Sequence, residues 1–227
     1  MAWTNLLLEN LLMPRSLNKA NLVTAVSDST RDDVIGTFSI DAKKVCKVLA
    51  ASVEIDPIRE FVRLEVDNYF LFVGTLEPRK NLEGLIEAFR MYSERGGKKT
   101  LIIVGAQGWM NPIRADSELN IKFLGHINDE QLLSYYKYAY ALLLPSLYEG
   151  FGLPAIEAMR FGVPVIGSDR GSIPEVVGNA GVLVDPMNFI DIAQAMCDLD
   201  EKSGLRERLR QLALDRVIDF SWKDSAA

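Results

Sequence analysis

Short, mainly apolar runs alternate along most of the chain with segments whose apolar residues recur at helical spacing. Six such runs, each followed by Gly, Pro or Asp, occupy residues 69–73, 100–104, 121–124, 140–144, 163–166 and 181–184. Between the first two, Leu82, Leu85 and Phe89 lie on one face of a predicted helix. Strands that are apolar on both faces belong to a parallel sheet covered by helices on both sides. The pattern therefore predicts an α/β fold with a doubly wound parallel sheet over residues 67–227.

The connections of such a sheet indicate where its functional residues lie. Crossovers between parallel strands are right-handed, which puts each loop from a strand to a helix at the carboxyl edge of the sheet. Open sheets of this kind bind their ligands at that edge. We therefore expect the functional residues directly after strands.

Residues 1–66 follow a sparser pattern. Residues 22–26 and 44–49 predict two strands, and residues 28–33 predict the start of a helix between them. Two strands and two helices bury too little apolar surface for a core of their own. We therefore expect residues 1–66 to be the tail of a neighbouring domain.

The composition is that of a soluble globular protein. Of the 227 residues, 48% are hydrophobic and 25% are charged, which excludes wholesale disorder and a collagen-like structure. No apolar run approaches the roughly 18 residues of a membrane span, and the lack of a basic residue before Arg15 argues against a signal peptide. The two cysteines, Cys46 and Cys197, lie far apart, so we expect two small buried thiols and a reducing cytoplasm.

The charge of the chain argues against one class of binding partner. The 31 acidic and 25 basic residues give a formal net charge of −6, without a basic block. Because the neutralisation of phosphates dominates nucleic-acid binding, we expect no nucleic-acid partner.

The loop after the fourth predicted strand of the sheet carries the strongest signal for chemistry. It continues as Glu149-Gly150-Phe151-Gly152-Leu153-Pro154. Glycines permit backbone conformations that other residues resist, so free N–H groups lead into a helix N-terminus, which can bind an anion. Glu149 on the loop and Glu157 in the first helical turn can face the same pocket. An ordinary glycine turn followed by a first-turn glutamate explains these residues equally well.

A basic loop follows the first strand of the sheet. It runs Gly74-Thr75-Leu76-Glu77-Pro78-Arg79-Lys80-Asn81. The loop matches neither a Walker loop nor a G-x-G-x-x-G fingerprint, which argues against an NTPase and against a dinucleotide oxidoreductase. Two cations at a helix N-terminus lie at the positive end of the helix dipole, which is electrostatically unfavourable. An anion between the cations and the helix would offset this repulsion. A solvated basic pair is an equally good explanation.

Together, the two loops resemble those of the retaining GT-B glycosyltransferases of the group 1, or family four, type. Glu149 and Glu157 bracket seven residues, as in the E-x7-E motif of that family, and the residues around them are similar almost position by position. The loop at residues 74–82 resembles the diphosphate loop of the family. Further blocks that resemble it are residues 123–127, 164–168, 173–176 and 180–186. The resemblance covers roughly residues 20–222.

The resemblance implies that the basic loop binds the diphosphate of a nucleotide-activated sugar. Arg79 and Lys80 would contact the phosphates, and Gly74 and Thr75 would line the loop. The family often carries Arg or Lys at the position of Thr75, and we expect Arg79 to take over that role. Because no metal-binding set is evident and this family type typically needs no metal, we expect neither a metal nor another cofactor.

Other residues would hold the sugar and the nucleoside. By the same resemblance, Glu149 contacts the transferred sugar, and Glu157 accepts hydrogen bonds from the ribose hydroxyls. The main chain of Ile127 would meet the base. The phosphate and the sugar would also be held by residues of the glycine loop, namely Gly150, Phe151, Gly152 and Leu153.

The implied activity is the transfer of a hexose, such as mannose, from a nucleotide-diphosphate sugar, with retention of the anomeric configuration. This activity would serve glycan or polysaccharide biosynthesis in the cytoplasm. Peripheral association of the protein with the inner face of the membrane is compatible with that role. In this family the acceptor, a sugar or a lipid-linked sugar, is bound mainly by an N-terminal Rossmann-like domain. The resemblance therefore implies that residues 1–66 are the end of that domain, with the interdomain linker near residues 53–56. We expect the truncated chain to bind the donor but to transfer sugar poorly.

Two other functions stay open at this point. One is a sugar-nucleotide epimerase, which can share the same two-domain architecture but needs no acceptor. The other is a non-catalytic module that binds a nucleotide-sugar.

Overall fold

The computed structural model describes residues 3–51, 61–62, 64–108 and 119–225. Its first segment contains helix α1 (Trp3–Lys19), strand β1 (Val23–Ala25), helix α2 (Asp28–Phe38) and strand β2 (Val45–Lys47). Both strands predicted for this segment are present, and they pair in parallel. The described part of its apolar core has three buried residues, Ala25, Ile40 and Val45. The linker expected near residues 53–56 lies outside the described residues, and the division into two domains stays a prediction.

A six-stranded parallel sheet forms the rest of the fold. Its strands are β3 (Tyr69–Val73), β4 (Thr100–Val104), β5 (Ile121–Gly125), β6 (Ala141–Leu144), β7 (Val165–Ser168) and β8 (Gly181–Val184). They lie side by side in the order β5-β4-β3-β6-β7-β8, and every pairing is parallel. Each of the six apolar runs forms a strand, so the predicted doubly wound α/β fold is confirmed.

Helices cover both faces of this sheet. They are α3 (Leu82–Glu94), α4 (Asp129–Tyr138), α5 (Leu153–Arg160), α6 (Ile173–Val177), α7 (Phe189–Glu201), α8 (Leu205–Arg216) and α9 (Trp222–Ser225). Because successive side chains of a strand point to opposite faces, Phe70 and Phe72 pack against α3 and α7. Tyr69 and Leu71 belong to the core on the other face, with α4, α5 and α6. The alternation explains why the central strands are apolar at every position.

The fold also places the two cysteines and sets the lengths of the helices. Cys197 on α7 is buried as expected, whereas Cys46 on β2 is only half-buried. Among the helices in the described ranges, none is both long enough and apolar enough to cross a membrane.

Candidate active site

The candidate site lies where the strand order of the sheet reverses. From β3 the chain moves outward through β4 to β5, and from β6 it moves the opposite way through β7 to β8. β3 and β6 are neighbours, so the connections after their carboxyl ends diverge and open a crevice, where sheets of this kind bind ligands. The two loops predicted to carry chemistry, residues 74–81 and 145–152, are those that follow β3 and β6.

Hydrogen bonds hold these two loops together. Asn81, at the end of the basic loop, has a left-handed backbone with a φ of 56°, which Asn tolerates better than most residues. Its side-chain amide donates to the carbonyl oxygens of Pro145, at 3.1 Å, and Pro186, at 2.7 Å. The Leu147 N–H donates to the Arg79 carbonyl oxygen at 2.7 Å. The basic residues of one loop are thereby fixed beside the acidic residue of the other.

Glu149 and the two cations form an ionic cluster. The Lys80 ammonium donates to Glu149 Oε1 at 2.5 Å, and the two side chains are only 7% and 8% exposed. Arg79 Nη1 donates to Glu149 Oε2 at 3.1 Å, and the Ser146 hydroxyl donates to Oε1 at 2.8 Å. Arg79 also pairs with Glu77 and stays 45% exposed. Because a buried carboxylate needs such partners, the cluster fixes Glu149 and leaves Arg79 as its solvent-accessible cation.

The glycine loop presents backbone donors at the start of α5. Gly152, directly before the helix, has a φ of 93°, and a Cβ there would lie 2.6 Å from Ile173 Cδ1. The Phe151 side chain is buried, with its ring 5.9 Å from the ring of Phe220. Within the described part of the chain, the N–H groups of Gly150, Phe151 and Gly152 donate no hydrogen bond. They can therefore serve an anionic ligand at the helix N-terminus.

Glu157 is held by a different partner from Glu149. The Tyr136 hydroxyl on α4 donates to Glu157 Oε2 at 2.6 Å. Burial raises the pKa of Glu157 above its ordinary value, although the hydrogen bond from Tyr136 acts in the opposite direction. Burial also raises the pKa of Tyr136, so its hydroxyl stays a donor at neutral pH. The two glutamates share no hydrogen-bond partner among the described residues, and a common pocket for them stays a prediction.

The remaining predicted residues lie at the same edge of the sheet. Thr75 is exposed directly after Gly74, at the end of β3. Ile127 follows the outer strand β5 and packs, half-buried, against the core. Leu153 begins α5 with 41% of its surface exposed. The contacts of these residues with a ligand stay predictions.

Three supporting side chains were not among the predicted residues. Ser146 and Tyr136 hold the two glutamates, and Ser172 donates to the Glu149 carbonyl oxygen through its hydroxyl, at 2.9 Å. Ser146 and Ser172 each come shortly after a strand, where functional residues were expected, so their positions carried a signal. Tyr136 carried none, because an aromatic residue on the buried face of a helix has the pattern of a packing residue.

Similarity to known proteins extends beyond these loops to most of the chain. The family model for glycosyl transferases group 1 matches residues 54–216. The O-antigen chain mannosyltransferase B of Escherichia coli is 35% identical over 225 residues, covering 92% of this chain and 59% of that protein. The O-antigen chain mannosyltransferase RfbU of Salmonella typhimurium (strain LT2) is 32% identical over 180 residues, covering 77% of this chain and 50% of that protein. The chain thus spans between half and three fifths of these two relatives' lengths.

Solved structures resemble the chain in fold. A sucrose-phosphate synthase from Thermosynechococcus elongatus superposes with a TM-score of 0.75 at 24% sequence identity, covering 95% of this chain and 58% of that one. At this identity the likeness concerns the fold alone. It extends over both the first segment and the six-stranded sheet, since nearly the whole chain is covered.

Proposed function

The chain belongs to the group 1 glycosyl transferases, and from this premise we propose that it binds a nucleotide-diphosphate sugar as the donor of a hexosyl transfer. Mannose is the first candidate for the hexose, because both relatives are mannosyltransferases that act on O-antigen chains. The acceptor is a sugar or a lipid-linked sugar, and the process is polysaccharide biosynthesis in the cytoplasm. Retention of the anomeric configuration is part of the proposal and rests on the resemblance of the two loops to the retaining family type.

The observation that carries the proposal is the convergence of two loops at the point where the strand order reverses. The cations Arg79 and Lys80 come from one loop, and the N–H groups of the glycine loop come from the other. As the glycosidic bond breaks, the departing nucleoside diphosphate gains negative charge. Fixed cations and N–H donors stabilise that charge more in the transition state than in the ground state, which accelerates the reaction.

Glu149 would act on the sugar side of the same bond. Positive charge develops on the sugar ring as the bond breaks, and a nearby carboxylate stabilises it. Lys80 and Ser146 hold the Glu149 carboxylate in one position before the donor arrives, so little reorganisation is needed during the reaction. We propose no covalent intermediate and no metal ion in this step.

The nucleoside would lie along the same edge of the sheet. Glu157 accepts hydrogen bonds from the ribose hydroxyls, and the main chain of Ile127 meets the base. Leu153, with its exposed apolar side chain, lies at the start of α5 next to the glycine loop. Ile127 follows a strand and Leu153 begins a helix, whereas Glu157, expected in the first helical turn, is the fifth of the eight residues of α5, because that helix begins at Leu153.

Calorimetric titration of the chain with UDP, GDP and ADP tests the proposal. We expect one of them to bind, and Glu157→Ala to weaken that binding about tenfold or more, as the loss of a hydrogen bond to a charged group implies. Failure of all three nucleotides to bind would overturn the proposal.

Product analysis with the sugar form of the bound nucleotide then separates the chemistries. Sugar transferred to an added glycan acceptor supports a transferase. An isomerised sugar formed without any acceptor would instead identify an epimerase.

A further inference from the structure

The start of helix α2 contacts the glycine loop directly, although more than a hundred residues separate them in sequence. The Thr30 hydroxyl donates to the Gly150 carbonyl oxygen at 2.9 Å. The Ser27 hydroxyl lies 2.7 Å from the same oxygen and 2.9 Å from Thr30 Oγ1, and it shares its single proton between these two acceptors. Ser27 is completely buried, so water does not compete for its hydroxyl. One carbonyl of the candidate site is therefore held by two side chains from the first segment of the chain.

Further bonds hold α2 in this position. Glu175 on α6 accepts hydrogen bonds from the N–H groups of Asp28, at 3.0 Å, and Ser29, at 3.3 Å, at the first turn of α2. The Tyr148 hydroxyl donates to Asp33 Oδ2 at 2.8 Å, one turn further along the helix. A carboxylate at a helix N-terminus also interacts favourably with the helix dipole. The contact at Gly150 therefore belongs to an interface that several bonds support.

Fixing the Gly150 carbonyl also fixes the N–H group of Phe151, because both belong to one peptide unit. That unit is planar and trans, so its N–H points away from its carbonyl oxygen and hence away from α2. Within the described ranges, this N–H donates no hydrogen bond. Hydrogen bonds accepted by a carbonyl polarise the peptide and make its N–H a stronger donor.

We propose that Ser27 and Thr30 are positioning residues that orient and polarise the Gly150–Phe151 peptide so that its N–H binds the diphosphate of the donor. The inference rests on the proposed function and extends it to residues that touch no part of the donor. Affinity for a nucleoside diphosphate then depends on hydroxyl groups of the first segment as well as on the two loops.

Thr30→Val is the variant that tests this role most directly. Valine has nearly the shape of threonine. The N–H of residue 30 can still donate to the Ser27 hydroxyl oxygen, so the substitution keeps the cap of α2. Ser27→Ala would remove that cap as well, so it is less informative. Thr30→Ser keeps the hydroxyl and should restore binding. Thr37→Val makes the same substitution at an exposed position of α2 and is the matched control.

The peptide itself can be observed by NMR, because Gly-Phe occurs only once in the sequence, at residues 150–151. Labelling glycine with ¹³C at the carbonyl and phenylalanine with ¹⁵N therefore gives one carbon-filtered amide resonance, that of Phe151. UDP, GDP and ADP are titrated separately into each variant, with affinity measured by calorimetry on the same samples. The resonance reports whether the nucleotide contacts this particular N–H.

We expect the tightest of these nucleotides to bind Thr30→Val roughly threefold to tenfold more weakly than the wild type, as for the loss of one hydrogen bond. The Phe151 resonance should shift strongly on binding in the wild type and in Thr30→Ser, and less in Thr30→Val. Equal affinity and an equal shift in Thr30→Val would overturn the inference and leave the proposed function standing. If none of the three nucleotides binds the wild type, both are overturned.

Discussion

At the scale of single residues, Glu157 combines a proposed role in binding with a cost to stability. Burial raises its pKa in the folded protein above the ordinary value of 4.5, so the folded chain holds this proton more tightly than the unfolded chain does. The resulting contribution to stability is fully present below pH 4.5 and is lost as the pH rises through the folded pKa. At neutral pH the buried charge therefore lowers the free energy of unfolding.

We predict that Glu157→Gln is more stable than the wild type at pH 7.5 and that this gain shrinks as the pH falls towards 4. Glutamine keeps an oxygen that accepts from the Tyr136 hydroxyl, so the substitution removes the charge with little change of packing. Urea unfolding at several pH values measures the difference. A gain that is the same at every pH would show that the buried charge is not its cause.

Arg79 and Lys80 are adjacent in sequence but differ in their surroundings, and we expect their replacement to have different effects. Arg79→Ala should weaken nucleoside diphosphate binding about tenfold with little loss of stability, because this side chain is nearly half exposed. Lys80→Ala should lower both the affinity for the nucleoside diphosphate and the stability of the fold, since it removes the buried partner of Glu149. Calorimetry and thermal unfolding on each variant measure the two effects.

A matched control for these variants is Lys98→Ala, an exposed lysine just before β4 and thus at the opposite edge of the sheet. It makes the same change of net charge away from the site. Unchanged affinity in Arg79→Ala, together with loss of binding in Lys80→Ala, would show that Arg79 does not replace the cation usual at the position of Thr75.

How far the site could be predicted differs between residues. Arg79, Lys80 and Glu149 were predicted because their loops follow strands and resemble a family motif. Their direct pairing was not predicted, since it depends on the neighbouring positions of β3 and β6 and on side-chain conformations, neither of which local spacing encodes. The bond from Tyr136 to Glu157 was missed for the same reason.

At the scale of elements, the turn into α5 depends on the absence of a side chain at Gly152. Its φ of 93° is unfavourable for other residues, and an added Cβ would lie 2.6 Å from Ile173 Cδ1. We predict that Gly152→Ala lowers the free energy of unfolding by about 1–3 kcal/mol and weakens nucleotide binding, because the loop N–H groups move. Urea unfolding and calorimetry measure the two effects.

Gly36→Ala provides the control for this prediction. Gly36 lies in α2 with no atom within 4 Å of an added Cβ, and alanine favours helix more than glycine does. The same substitution should therefore stabilise the protein by up to about 1 kcal/mol there. Destabilisation of equal size at both glycines would indicate that the strained turn at Gly152 is not the reason.

The elements themselves were largely predictable, and the exceptions have local causes. The six strands were found because the apolar runs and the residues that end them are both clear in the sequence. The short helix α6 was noted only as a motif, since five residues beginning Ile173-Pro174 carry too little periodicity to predict a helix. Its role, to present Glu175 to α2, depends on tertiary contacts that the periodicity of a single segment does not contain.

At the scale of the whole molecule, net charge and local charge lead to different conclusions. The formal charge of −6 argues against a nucleic-acid partner, yet it says nothing against a nucleotide, because two cations are concentrated at one crevice.

The contact of the first segment with this crevice could not be predicted. It joins residues near position 30 to residues near position 150 and 175, and such pairings follow from how the segments pack rather than from any local pattern.

We predict that Glu175→Ala loosens α2 from the rest of the molecule. The Glu175 carboxylate accepts from two N–H groups of the first helical turn, and loss of a comparable cap costs about 0.5–2 kcal/mol. Hydrogen exchange of peptides covering α2 should therefore become roughly threefold to tenfold faster, while exchange in β6 and β7 stays unchanged. Glu207→Ala, on the exposed surface of α8, is the control. Unaltered exchange in α2 would mean that Glu175 does not hold this helix against the candidate active site.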